Sequence, residues 1–129
     1  MSDIKEIHSR MLKSWAEKDL DAIATIFHPD LRYRVAGKSI ISGVYHGVDG
    51  WREFSDLTLK ETDRTREYRV DVSMFGDNHV AMICRATGRR RGKELDLDIV
   101  LINRYEDGKL IEVNLLPTDS YAFDDFWAE

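Results

Sequence analysis

Two aspartates, Asp96 and Asp98, interrupt a long apolar run, ELDLDIVLINRY, that spans residues 94–105. Side chains on a strand alternate between faces, so Asp96, Asp98, Val100 and Ile102 share one side. A carboxylate on that side lies either at a wet sheet face or in a pocket, where burial raises its proton affinity. In a pocket it acts as a general base when ionised, or as a hydrogen-bond donor to an oxyanion when protonated, and neither role needs a cofactor. Tyr33, Tyr45 and Trp15 are the candidates to stand beside it, as an apolar wall with hydroxyl or indole donors. For each, plain core packing is the competing reading. His46, in the triplet YHG, is a candidate proton shuttle or an exposed loop residue. His8 reads as a core histidine on a helix stripe.

The elements that must position these groups follow from periodicity. Ile4, Ile7, His8, Met11, Leu12 and Trp15 recur at three- and four-residue spacing, which predicts an amphipathic helix over about residues 3–17. Asp19 caps a second short helix with Leu20, Ile23 and Phe27 as its buried stripe, and Pro29 stops it. Leu31, Tyr33 and Val35 alternate with Arg32 and Arg34 as a half-buried strand ending at Gly37. GKSIISGVYHGVDG then reads as irregular backbone before a third helix, capped by Asp49 and anchored by Trp51, Phe54 and Leu57.

From Glu67 the period becomes two for about fifty residues. Tyr68, Val70, Val72 and Met74 form one face, the turn GDN leads to a strand from His79 to about Arg89, and Asp107-Gly108 marks a tight hairpin into residues 110–116. Thr118, Asp119 and Ser120 lead into an aromatic tail, YAFDDFW, whose Phe126 and Trp127 are expected to close the barrel mouth or to pack across a dimer. Helices first and strands afterward imply one α+β domain over residues 1–129, with helices covering a curved antiparallel sheet.

The face of Asp98 depends on the hairpin around Gly92. A three-residue loop, Arg90-Arg91-Gly92, sets Arg89 opposite Lys93, Cys84 opposite Asp98 and Met82 opposite Val100, and it points Asp98 at apolar neighbours. A two-residue loop, Arg91-Gly92, slips the register and pairs Arg85 with Asp98. Glycine in third position favours the first register, so Asp98 is expected in the pocket and Asp96, nearer the tip, in water.

Composition removes several function classes. The net charge is -5 and 33% of residues are charged, which argues against nucleic acid as a partner; the GRRRGK cluster reads as a solvated hairpin tip. A single cysteine, Cys84, forms no internal disulfide and suits a reducing compartment. With no leader-like N-terminus and no apolar run that would span a bilayer, the expected location is the cytoplasm. The four histidines, at 8, 28, 46 and 79, show no metal-ligand spacing, so no metal is expected. GxGxxG, GK[ST] and GxSxG are absent, so no nucleotide cradle or serine elbow is expected either.

Four segments, KDLDAIATIFHPDLRYRVAG, ISGVYHGVDG, LDIVLINRYEDGKLIEV and TDSYAFDDFW, resemble the nuclear transport factor 2-like superfamily, in its SnoaL-like, ketosteroid-isomerase-like branch. The resemblance spans nearly the whole chain. It implies a cone-shaped α+β barrel, three N-terminal helices packed on a strongly curved, mainly antiparallel sheet around an apolar pocket, and a homodimer through the outer sheet face. In ketosteroid isomerases an oxyanion-hole aspartate lies six residues before the arginine-aromatic pair, which gives Asp98. The general-base position falls on Val35 and the tyrosine donor on Met11, so the familiar isomerase mechanism is not expected. The arginine that epoxide hydrolases of this fold carry falls on Asp96, and the pocket aspartate of SnoaL-type cyclases corresponds to Asp98 or Asp119. The expectation is a cofactor-independent isomerase, cyclase or dehydratase acting on an apolar, carbonyl-containing small molecule. Asp98, Tyr33 and Tyr45 are its catalytic candidates. Trp15, Met11, Val35, His46, Phe54, Met82, Val100, Val113 and Trp127 are its pocket candidates. The alternative is a non-catalytic binding or dimerisation module of the same fold.

Overall fold

A computed structural model describes residues 3–129. Helix α1 (Ile4–Ala16) starts where the Asp3 carboxylate accepts a hydrogen bond from the Lys5 N–H at 2.9 Å, and it buries Ile7 and His8. Helix α2 (Leu20–Ala24) is capped by Asp19, which accepts from the Ala22 N–H at 3.1 Å. Both caps satisfy donors that a helix start leaves without partners. The second helix ends earlier than its apolar spacing suggests. Phe27 already belongs to strand β1 (Phe27–Val35), and Pro29 sits within that strand.

The segment read as irregular contains strand β2 (Gly43–His46), which pairs with β1. Helix α3 (Gly47–Glu61) begins two residues before Asp49, which lies in its first turn, and His46 holds the cap position without a side-chain bond. An acidic residue in the first turn still favours the helix through its dipole. The start of α3 packs hard on β2, because a Cβ on Gly50 would stand 2.9 Å from the Tyr45 carbonyl carbon.

Strands β3 (Glu67–Phe75), β4 (His79–Arg90), β5 (Lys93–Glu106) and β6 (Lys109–Pro117) complete a six-stranded sheet in the order β2-β1-β6-β5-β4-β3. Only β1 and β6 run parallel; the other pairs are antiparallel. The helices pack on the concave face of this curved sheet, in the α+β cone arrangement that the sequence implied.

The register of the β4–β5 hairpin differs from the expected one. Arg90 pairs with Lys93 and Arg85 with Asp98, leaving a two-residue loop in which Arg91 (φ 51) and Gly92 (φ 78) are both left-handed. Holding a non-glycine residue left-handed costs about 1–2 kcal/mol. That cost is outweighed by burial. This register puts Cys84, Ala86, Leu95 and Ile99 on the inner face with at most 3% exposure each, and burying one large aliphatic side chain contributes about 1.5–3 kcal/mol. The three-residue loop would instead have turned Asp98 inward.

A second phase change lies in β3. Val70 pairs with Cys84 but Val72 with Ile83, so Asp71 is an extra residue that forms a bulge. Beyond it Val72 and Met74 turn to the outer face, 45% and 48% exposed, and no longer share a side with Tyr68 and Val70. Ser73 turns inward and meets His8 Nε2 at 2.9 Å.

The aromatic tail is helix α4 (Ser120–Phe126), capped by Asp119. Phe126 and Trp127 are buried within their own chain and pack at 4.9 Å in T-shaped geometry. Arg90 holds this end in place: its Nη1 donates to the carbonyls of Phe126 at 3.0 Å and Ala128 at 2.6 Å, and its Nε to Glu61 at 3.0 Å.

Candidate functional site

Between α1, α3 and the concave sheet lies a cavity of about 80 Å³. Five strands supply inward-facing residues by the alternation of the pleat, and on β6 an extra residue, Ile111, shifts the phase so that Leu110 and Val113 both face in. Strand β1 gives Tyr33, β3 gives Tyr68 and Val70, β4 gives Met82 and Cys84, β5 gives Leu101 and Asn103, and β6 gives Leu110 and Val113. Met11, Leu12 and Trp15 come from α1, and Trp51, Phe54 and Ser55 from α3. Tyr33 packs on Phe54 with ring centroids 4.9 Å apart. Met11 Sδ lies 4.0 Å from the Tyr105 hydroxyl.

Several expected site residues stand elsewhere. Asp98 is on the outer face, its side chain 43% exposed, and it accepts from Arg85 Nη1 at 3.2 Å. Asp96 accepts from Arg85 Nε at 2.8 Å and is 65% exposed. One guanidinium thus bridges both aspartates on the solvent side, and the pocket-facing assignment of Asp98 is corrected by the hairpin register. Val100 shares that outer face, opposite Ile83 and Leu116. Val35 is core, 2% exposed, but outside the cavity lining. Tyr45 packs on Phe54 and donates its hydroxyl to the Ile41 carbonyl at 2.8 Å. His46 is exposed at the end of β2, and Trp127 packs against Phe123 and Phe126. Asp119 caps α4 and accepts from the Ala122 N–H at 3.0 Å.

Of the candidates, Met11, Trp15, Tyr33, Phe54, Met82 and Val113 line the cavity. Arg66, Tyr68 and Asn103 join them and were missed. Asn103 belongs to the same run as Asp98 but has the opposite phase; it is 2% exposed and its Oδ1 is buried without a hydrogen-bond partner. Tyr68 lies on the inner face of β3, whereas Arg66 lies just before that strand begins at Glu67, where no strand periodicity marks it.

The electrostatics of the cavity follow from burial. Desolvation raises the Tyr33 and Tyr68 hydroxyls above the ordinary phenol range, while the charge of Arg66 pulls both the other way. Burial pushes the Cys84 thiol up to about 11, so it is protonated near neutral pH and unsuited to nucleophilic attack. No Asp, Glu or His is among the residues lining the cavity. The lining therefore offers neutral hydroxyl and amide donors and one guanidinium, groups that hold or stabilise an oxygen rather than remove a proton. Among the described residues no group of three or more His, Cys, Asp or Glu side chains is arranged to hold a metal ion.

Helices on the concave face of a bent six-stranded sheet, with an apolar cavity between them, define a small pocket protein of the α+β cone class. The SnoaL-like domain matches residues 8–113, and the chain belongs to that family. Rv0034 of Mycobacterium tuberculosis is 28% identical over 120 residues, covering 92% of each chain. A Xanthomonas campestris protein of cystatin-like fold superposes with a TM-score of 0.89 at 24% identity, covering 99% of this chain and 100% of that one. Bal32a, from a soil-derived mobile gene cassette, gives 0.88 at 24% identity over 95% of both chains. Among the described residues no helix is long and apolar enough to cross a membrane.

Proposed function

We propose that the chain is a cofactor-independent SnoaL-like pocket protein that binds an apolar small molecule carrying a carbonyl or related oxygen. The observation that carries this reading is the lining itself: apolar walls from helices and sheet, with a few polar groups among them, the Tyr33 and Tyr68 hydroxyls, Ser55, Arg66 and the Asn103 amide. Such a site takes an apolar body and fixes its orientation by a few hydrogen bonds. Binding without proton abstraction is the primary reading, because Asp98 faces solvent and the lining holds no carboxylate or imidazole.

A second reading, an isomerase, cyclase or dehydratase of the same ligand class, is favoured by one feature. Tyr33 and Tyr68 lie in the field of Arg66, a combination suited to stabilising an enolate or other oxyanion. Calorimetric titration with methyl 2-naphthyl ketone, wild type against Tyr33→Phe, separates the two. Binding weakened by Tyr33→Phe with no change in the ketone supports the binding module; turnover lost in Tyr33→Phe supports the enzyme. No binding at all removes both.

The outer sheet face, with Val72, Met74 and Leu116 exposed, supports a homodimer through that face, and the lone buried Cys84 supports a reducing, cytoplasmic location.

A further inference from the structure

The cavity shares six of its walls, Leu12, Trp15, Ser55, Arg66, Tyr68 and Val70, with a wider outer groove of about 540 Å³. Arg66 stands at this junction. Its guanidinium carbon lies 5.5 Å from the Trp15 ring centroid and 5.0 Å from that of Tyr68, and Nη1 donates to Thr58 Oγ1 at 2.9 Å. Its remaining capacity is unspent. Arg32, Arg52, Arg69, Arg85, Arg90 and Arg104 each have a carboxylate partner. Arg66 has none among the described residues, as is true of the exposed Arg10, Arg34, Arg64, Arg89 and Arg91, but unlike them it is partly buried and its Nε is buried without a hydrogen-bond partner. A buried donor on a cation is costly to leave unpaired, and a bound acceptor recovers that cost.

The surroundings point the same way. The outer groove is lined by Lys18, Arg64 and Arg66 against one acid, Glu67, on a chain whose net charge is -5. A basic mouth on an acidic protein concentrates anions locally. The aromatic faces of Trp15 and Tyr68 displace water from one side of the guanidinium, and this strengthens its attraction for a charge on the other.

We propose that Arg66 is an anion anchor and that the ligand is an amphipathic organic acid. Its planar oxyanion, a carboxylate or an enolate, sits on the guanidinium fork, and its apolar body enters the cavity past Tyr68 toward Tyr33 and Asn103. The planar fork matches a planar oxyanion in a way that a lysine ammonium does not. The proposal rests on the pocket reading above and adds the charge of the ligand to it.

The test is a calorimetric comparison of 2-naphthoate with methyl 2-naphthyl ketone, two molecules of nearly equal shape that differ in charge. Wild type, Arg66→Gln, Arg66→Lys and the exposed-rim variant Arg64→Gln are titrated at low and high salt. In wild type the acid binds about tenfold tighter than the ketone, the factor expected of one charge-assisted hydrogen-bonded contact. Arg66→Gln removes that preference, weakening the acid about tenfold more than the ketone, Arg66→Lys retains part of it, and Arg64→Gln lowers it only at low salt. Equal binding of acid and ketone by wild type, or a preference that survives in Arg66→Gln, overturns the anchor and leaves the pocket reading standing. Failure of wild type to bind either molecule overturns the pocket reading and the anchor together. If Arg66→Gln loses its cooperative unfolding transition, Arg66→Lys decides: a preference reduced several-fold supports the anchor, and an unchanged one overturns it.

Discussion

The two faces of the β4–β5 hairpin handle charge in opposite ways. On the outer face Arg85 spans Asp96 and Asp98, with side chains 35%, 65% and 43% exposed. On the inner face Arg90, its side chain 2% exposed, binds Glu61 and two main-chain carbonyls at the end of the fold. The outer cluster resembles chemistry and does none at the pocket. The inner one ties the chain's last helix to the sheet and has no part in the cavity. Arg90 keeps a buried Nη2 without a partner but stands away from the cavity. Charge density along a strand is therefore a poor guide to a site; what matters is which side of the pleat a group occupies and whether it borders the cavity.

Several measurements sharpen or break this contrast. Arg90→Ala is expected to be the most damaging, by about 3–5 kcal/mol in a denaturant titration, because it strands Glu61 and two carbonyls; a loss below about 1 kcal/mol would show the inner cluster to be no different from the outer one. Ile99→Ala, at a position 0% exposed, is expected to cost about 2–4 kcal/mol, and Val100→Ala, one residue along and facing out, clearly less. Reversal of that order would contradict the register.

Smaller effects test the polar groups. Asn103→Leu removes a buried amide whose oxygen has no partner, so stability holds or rises slightly while ligand affinity falls by about fivefold; unchanged affinity would take Asn103 out of the site. Asp98→Asn is expected to leave both unfolding midpoint and ligand affinity within error, since its bond to Arg85 is solvent-screened. The smallest effect concerns pH. Burial holds His8 below the ordinary histidine value of 6.5, so protonation favours the unfolded chain. The contribution of His8 is complete above that value and is lost as pH falls below it. His8→Gln should flatten the acid side of the stability profile, and an unchanged slope would place the sensitivity elsewhere.

Much of the fold was legible because burial repeats. The cap at Asp19, the three main helices, the four long strands and the Asp107-Gly108 turn, with φ of 53 and 74, follow from local spacing and turn chemistry. What escaped was decided by non-local burial. Arg91 accepts a left-handed backbone so that Cys84 and Ile99 face inward, Asp71 is pushed into a bulge that reverses the phase of Val72, and β2 exists only because β1 is there to pair with it. The site inherits these errors directly. A one-residue slip exchanges Asp98 for Asn103 as the polar group that β5 sends into the cavity. Arg66 stayed hidden because its importance lies in partners it lacks, which no sequence pattern records.

The bulge at Asp71 carries one more consequence. Strand β3 is the last in the sheet, and an outermost strand offers its free N–H and C=O groups to any passing chain, which is where growth into fibrils begins. An extra residue near the middle of that strand bends it and breaks its repeat. A foreign strand can then keep step with only half of it, which makes this edge a poorer template for strand addition.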